Sequence, residues 1–349
     1  MISYVNILRS IAIIGVITIH TAAPLLAQTD NLPYWLVGNI LEGAVRWSVP
    51  VFVMVSGMLL LNNNKKEPLK IFMRKRASKI IIPFIGWVLI YTFWEYKSTL
   101  GGIYLPDIIR DMIGGNVSFH LWFLYMIVGL YLITPLIRVL TAHSDWKLIE
   151  YYLIVWFITS SLFTLSNHFL SVNVGIQLQY FSGYLGYFLL GYYLHNIELT
   201  KRLRKIIYAG GLFGVIVTII GTYLETEYSG NFAPYFYEYL SPNNVLASIA
   251  IFVSVKNIDW DSIFKKKGIF MKSMTALSIS SFGVYLIHPL VMIIIGSDEM
   301  KKLIGFKIRY TEFFHPIIGV PVSIIIVLII SYTAVRVMNK IPFINKLVP

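Results

Sequence analysis

Cysteine is absent from the 349-residue chain, and charged residues make up only 13% of it. The absence of cysteine excludes disulfide bonds, a thiolate nucleophile and Cys-ligated metals. Soluble globular domains contain roughly 25% charged residues, about twice this fraction. The sequence also has no glycine-rich phosphate loop, no HExxH zinc motif and no GxSxG serine motif. None of the enzyme classes that depend on those motifs is therefore indicated.

Apolar residues dominate what is present, with a hydrophobic fraction of 57% and a mean hydropathy of +0.70. Apolar windows of about twenty residues mark membrane spans. They predict an all-α polytopic membrane protein with about ten transmembrane helices, forming one membrane domain over residues 1–349. The first window is interpreted as an uncleaved helix, because no basic segment precedes it and further spans follow. The windows lie near 4–26, 35–61, 78–97, 118–140, 147–166, 175–195, 204–224, 241–256, 275–296 and 313–338.

The basic residues cluster in alternate loops, which indicates the orientation of the chain. By the positive-inside rule, those loops and both termini are predicted to be cytoplasmic. The net charge of +12 is therefore a topological signal, and no nucleic-acid partner is expected. One predicted outer loop, near 297–312, disagrees because it contains Lys301, Lys302, Lys307 and Arg309. The cytoplasmic clusters lie within residues 65–79, 201–205 and 256–272.

The first span contains Arg9 and His20, which are separated by eleven positions. Eleven residues at about 100° each return to within roughly 20° of the starting direction, so both side chains share one helix face about three turns apart. Ionisable groups inside a bilayer are costly and usually functional. With the predicted orientation, Arg9 lies in the inner half of the membrane and His20 in the outer half.

Other ionisable residues follow the same division between the two halves. The outer half is predicted to contain Glu42, Arg46, Glu95, His120 and His288, and the inner half Arg74, Arg76, Lys79 and Arg138. This arrangement suits transfer of an activated group from an anionic donor to an outer acceptor. A neutral imidazole can accept a proton from an acceptor hydroxyl, and a carboxylate can orient it. Glu42 is the first candidate for that carboxylate and Glu95 the second.

Each of these residues also has a structural interpretation. Glu42 and Arg46 could form an i,i+4 ion pair, and the basic residues Arg74, Arg76 and Lys79 could serve only as a topology anchor. His120 and His288 could be structural, and a metal held by His20, His120 and His288 is a further alternative. The aromatic outer segment 225–240 could be an interfacial belt or a stacking surface for a glycan.

Five segments resemble the membrane-bound acyltransferase-3 family of bacterial O-acyltransferases. The first is the Arg9–His20 spacing. The others are SVPVFVMVSGMLLL at 48–61, which contains Ser56 and Gly57, RKRASKIIIPF at 74–84, FHLWFLYMIVGLYLITPLIR at 119–138, and SFGVYLIHPL at 281–290. Many family members have a Glu shortly after the Trp of the fourth-helix segment, whereas Phe123 to Ile127 follow Trp122 here. The chain is more similar to the short branch that includes enterobacterial common antigen O-acetyltransferase and the enzyme that modifies intercellular adhesin polysaccharide.

The resemblance implies a multi-pass enzyme of the bacterial cell membrane that uses cytosolic acyl-CoA, with acetyl-CoA as the first expectation and no metal. The implied acceptor is an extracytoplasmic glycan or lipid-linked saccharide. His20 is implied as the general base, Arg9 as a donor-binding residue, and Arg74 and Arg76 as contacts of the CoA phosphates. Arg46 and Lys79 are further candidates for donor binding, and His120, Trp122 and His288 for the reaction site. The competing interpretations are a transporter or flippase of glycan or lipid, and a sensor with this fold but no catalysis.

Overall fold

The computed structural model describes residues 3–61, 67–96, 105–171, 179–264, 268–298 and 315–349. Within these ranges the regular secondary structure is entirely helical. The basic residues Lys301, Lys302, Lys307 and Arg309, which disagreed with the predicted orientation, lie outside the described residues. The α-helices are α1 (Ser3–Ala22), α2 (Leu32–Gly43), α3 (Ser48–Leu61), α4 (Leu69–Arg76), α5 (Ile82–Tyr96), α6 (Leu105–Gly114), α7 (Trp122–His143), α8 (Trp146–Phe157), α9 (Phe163–Leu170), α10 (Gln179–Asn196), α11 (Lys201–Ser229), α12 (Pro242–Lys256), α13 (Trp260–Phe264), α14 (Ile269–Ile295) and α15 (Pro316–Met338).

Helices occur at all ten places where the sequence predicts spans. In the described part of the chain, eight helical segments are long and apolar enough to cross a membrane. The other two predicted spans correspond to α10 and to the 15-residue α12. These two pack inside the bundle, α10 mainly against α3 and α12 mainly against α11. The prediction of an all-α polytopic membrane protein is confirmed.

The second predicted span, 35–61, is not one continuous helix. Helix α2 ends at Gly43 and α3 begins at Ser48, with a turn between them. Pro50 explains the break, because it has no amide hydrogen to donate to the carbonyl of Arg46. Within the turn, the indole nitrogen of Trp47 donates to the carbonyl oxygen of Ala44 at 2.8 Å. Arg46 therefore lies on a turn.

A second irregularity lies between α4 and α5, where residues Ala77–Ile81 form a π-helical turn. Pro83 follows it and cannot donate to the carbonyl of Lys79. Single π-turns of this kind insert an extra residue and rotate the helix faces that follow. The turn therefore changes the direction of Lys79 relative to the basic residues of α4.

Helix α1 lies at the centre of the bundle, packed against α3, α14 and α15. The contact between α3 and α10 is a close one, because it is formed at two glycines. A Cβ atom at Gly57 would overlap the carbonyl oxygen of Phe188, and one at Gly191 would overlap the carbonyl oxygen of Met54. Small residues permit such close approach of membrane helices. Helix α3 also contacts α1, α7 and α12.

Candidate functional site

A cavity of about 440 Å³ lies among α1, α3, α7, α14 and the end of α4 with the π-turn that follows it, on the side predicted to be cytoplasmic. Three cationic side chains line it, those of Arg9, Arg76 and Lys79. Ser56 and Tyr131 add hydroxyl groups to the same wall. Within the described residues, none of the three cations forms an ion pair with a carboxylate. The cavity is therefore suited to an anion.

The neighbouring Arg138 differs from these three cations because its charge is compensated. Its Nε donates to the carbonyl oxygen of Leu60 at 2.7 Å, and its Nη1 lies 3.7 Å from a carboxylate oxygen of Glu67. A hydrogen bond from Lys75, together with the positive charges of Lys75 and Arg138, lowers the pKa of Glu67. Arg76 by contrast has a buried Nε with no partner among the described residues.

Three imidazole rings lie together on the opposite side of the cavity wall. His20 on α1 and His288 on α14 are stacked, with ring centroids 5.3 Å apart. The ring of His120, just before α7, has its centroid 5.9 Å from that of His288. His120 and His288 are buried, whereas His20 is only partly covered by protein. No hydrogen bond to His20 occurs within the described residues, so its ring nitrogens are available for a substrate.

The orientation of His288 follows from the proline after it. Pro289 cannot donate to the carbonyl oxygen of Tyr285, and the Nδ1 of His288 lies 2.7 Å from that oxygen instead. The carbonyl oxygen can only accept, so Nδ1 carries the proton and Nε2 is left as the acceptor nitrogen. Nε2 is buried and has no partner in the described part of the chain. The His-Pro pair thus gives one fixed tautomer beside His20.

Tyr285 connects the cavity with the three histidines. It lines the cavity, and its ring centroid lies 5.7 Å from that of His120 and 5.9 Å from that of His288. Its hydroxyl donates to the backbone carbonyl of His120. The cationic cavity and the histidine cluster are therefore separated by a single layer of side chains.

Glu42 and Arg46 form the i,i+4 ion pair that was one of the two interpretations of their spacing. The guanidinium of Arg46 also lies 4.2 Å from the ring centroid of Tyr237 and 5.7 Å from that of Tyr239. Neither residue lines the cationic cavity. Glu42 has no hydrogen bond to His20 within the described residues, and its Oε2 is buried without a partner.

The aromatic segment 225–240 turns inwards near this ion pair. Tyr235 and Tyr237 are buried in a 3₁₀ turn, whereas Tyr228 is 94% exposed. Trp122 belongs to the same group, with its ring 5.7 Å from that of Tyr239 and 5.5 Å from that of Tyr184. Aromatic rings next to a buried ion pair form a mixed apolar and polar surface.

The remaining predicted residues lie away from both groups. Arg74 is exposed and does not line the cavity, and Glu95 is exposed near the end of α5. Among the described residues no set of three metal-capable side chains is arranged to hold a metal ion, so the His20, His120 and His288 alternative has no geometric support. Sequence reasoning missed Tyr131 and Tyr285, and it pointed to Tyr237 only as part of the aromatic segment 225–240. Of the two missed residues, only Tyr285 had a signal, the Pro289 that frees its carbonyl group.

Comparison with known proteins gave one family match. A family model described as an acyltransferase domain matches residues 2–336. The matched range includes both the cationic cavity and the histidine cluster. Comparisons with curated proteins and with solved structures gave no match.

Proposed function

The chain belongs to the membrane-bound acyltransferase-3 family, and on this basis we propose that it transfers an acetyl or other short acyl group from cytosolic acyl-CoA to a saccharide hydroxyl. The acceptor is an extracytoplasmic glycan or lipid-linked saccharide, and the protein is a multi-pass enzyme of the bacterial cell membrane.

One observation supports this function most directly. A cavity with three cations that lack acidic partners among the described residues ends one side-chain layer away from a cluster of three imidazoles. Arginine guanidinium groups match phosphate oxygens in charge and geometry. Arg9, Arg76 and Lys79 would accordingly hold the phosphates of the donor, and its thioester end would point towards His20. Arg74 does not line the cavity and is not part of the proposed phosphate site.

In the proposed reaction His20 acts as the general base. A ring nitrogen of His20 takes the proton of the acceptor hydroxyl while its oxygen attacks the thioester carbonyl carbon. The new C–O ester bond forms, the C–S bond breaks, and the proton passes from the imidazolium to the CoA thiolate. General acid–base catalysis of this kind contributes about 10²–10⁴-fold to the rate. The partly uncovered His20 has no competing hydrogen bond within the described residues.

The region beside His20 also suits a sugar. Glu42 Oε2 and Arg46 Nε are buried and have no partner among the described residues. These two groups offer an acceptor and a donor for hydroxyls, and the rings of Trp122 and Tyr239 offer an apolar face. An unpartnered buried polar group costs about 1–3 kcal/mol, which a bound hydroxyl would recover.

The test is CoA release by purified protein. Wild-type protein in detergent, mixed with acetyl-CoA and a hydroxylated saccharide, should release the free thiol of CoA, and the His20→Gln variant should not. Calorimetry should give the same affinity for acetyl-CoA in both proteins. A flippase would move the saccharide without breaking the thioester. Thiol release by His20→Gln at the wild-type rate would contradict the role of His20 as base.

A further inference from the structure

Three aromatic rings close the outer end of the cationic cavity. Along α3, α7 and α14, the lining residues furthest from the cytoplasmic side are Phe52, Phe123 and Tyr285. The centroids of Phe52 and Phe123 are 6.4 Å apart, and those of Phe123 and Tyr285 are 5.2 Å apart. We refer to these three residues as the aromatic layer.

The layer has one fixed member and two that are held only by packing. The hydroxyl of Tyr285 donates to the carbonyl of His120, so this ring is anchored. Phe52 and Phe123 have no polar atoms on their side chains, and Phe52 is only half-buried. Rings without a hydrogen bond can rotate or shift for a ligand at lower cost than an anchored one.

The space beyond the layer is small. His120 and His288 are 1% and 0% exposed, and their rings contact Tyr285 directly. Within the described residues, no lining residue of the cavity comes from the histidine cluster itself. A group that passes the layer therefore enters a space already filled on two sides by imidazole rings.

From this geometry we propose that the aromatic layer determines which acyl groups reach His20, with Phe123 and Phe52 as the residues that limit chain length. The inference rests on the proposed acyl-CoA donor and deepens it. The phosphates of the donor are held at the cationic end, so the distance to His20 is fixed and only the acyl end passes the rings. The ring of Phe123 packs against both other rings, so an acetyl group passes only when a ring shifts, and each further methylene requires a larger displacement.

The experiment compares acetyl-, butyryl- and hexanoyl-CoA as donors for wild-type protein and for Phe123→Leu, with thiol release as the measurement. One methylene in an apolar pocket changes specificity by about 10-fold or more. Wild-type protein should prefer acetyl-CoA, and Phe123→Leu should raise the butyryl-to-acetyl ratio of kcat/KM about tenfold. Phe52→Leu should act in the same direction and provides a second reading if Phe123→Leu fails to fold.

The matched control is Phe282→Leu. Phe282 lines the same cavity three residues before Tyr285, on the cytoplasmic side of the layer. The CoA portion of the donor lies on this side of the layer, so the butyryl-to-acetyl ratio of kcat/KM should stay at the wild-type value.

Three results would overturn the inference. Unchanged ratios in both Phe123→Leu and Phe52→Leu would refute the layer as the length determinant but leave the proposed function intact. An equal change in Phe282→Leu would show that any enlargement of the cavity relaxes specificity. Thiol release from none of the three donors by wild-type protein would refute the proposed function and the inference together.

Discussion

The imidazole rings of His20 and His288 stack at a centroid distance of 5.3 Å, with an angle of 26° between their planes. The two residues lie on helices far apart in sequence, and α1 and α14 share one of the larger interfaces of the bundle. His288 is fixed by the hydrogen bond from its Nδ1 to the carbonyl oxygen of Tyr285 at 2.7 Å. The ring of His288 therefore supports one face of the His20 ring and limits its position.

Replacing His288 by Gln should reduce kcat and leave the affinity for acyl-CoA unchanged. A misplacement of about 1 Å at a reacting group costs on the order of 10²-fold in rate, and loss of the stacking ring removes the support on one side of His20. Steady-state kinetics with acetyl-CoA measures both quantities. His143→Gln at the exposed end of α7 is the control and should behave as wild type. A His288→Gln enzyme with wild-type kcat would show that the stack is only structural.

The three cavity cations should act on donor binding, and Arg74 should not. Hydrogen bonds to charged groups contribute about 1.5–3 kcal/mol, and 1.4 kcal/mol corresponds to about tenfold in affinity. Arg9→Gln and Arg76→Gln should each weaken acetyl-CoA binding about tenfold or more by calorimetry in detergent. Arg74→Gln, which removes an exposed charge two positions from Arg76, is the matched control. Equal losses in all three variants would indicate a general electrostatic effect and not a defined phosphate site.

The ion pair of Glu42 and Arg46 should be important for stability. Glu42→Leu leaves the guanidinium of Arg46 buried without its carboxylate, and breaking a buried pair in this way costs about 3–5 kcal/mol. The double variant Glu42→Leu/Arg46→Met should recover much of that loss, because both charges are removed. Thermal unfolding in detergent measures the effect. If Glu42→Leu lowered kcat but not thermal stability, the carboxylate would serve His20 and not Arg46.

The glycine contact between α3 and α10 should tolerate no side chain. Gly57→Ala would place a Cβ against the backbone carbonyl of Phe188, and overpacking of a well-packed core costs about 1–3 kcal/mol or occasionally more. Gly129→Ala on α7 is the control, because no atom lies within 4 Å of the added Cβ. The unfolding temperature should fall for Gly57→Ala and should be unchanged or higher for Gly129→Ala. Equal unfolding temperatures would contradict the close approach of the two helices.

The sequence was sufficient to predict those features that depend only on the order of residues within one helix. Helical segments of the described residues lie at all ten places where apolar windows predict spans. Arg9 lines the cavity while His20 contacts the other histidines, as their shared face on α1 implies. The break after Gly43 could also have been read from Pro50. These features follow from helix periodicity and from the missing amide hydrogen of proline.

The partners of the site residues depend on long-range contacts, which one sequence does not contain. Nothing local to Arg46 indicates that Tyr237 lies over its guanidinium. Arg74 and Arg76 lie two positions apart on α4 and point in different directions, and the direction of Lys79 relative to them depends on the π-turn at Ala77–Ile81. Matching depth alone suggested Glu42 as a partner of His20, but equal depth on two helices does not fix the direction of either side chain.

The most direct test of the central claim is sided transfer by protein reconstituted in liposomes. Radiolabelled acetyl-CoA is supplied only on the cytoplasmic side and the saccharide acceptor only on the other side, and wild-type protein should acetylate the acceptor. His20→Gln should lower the rate of acetylation by about 10²–10⁴-fold and should bind acetyl-CoA with the wild-type affinity. Acetylation by His20→Gln at the wild-type rate would contradict the claim that this imidazole takes the proton of the acceptor hydroxyl.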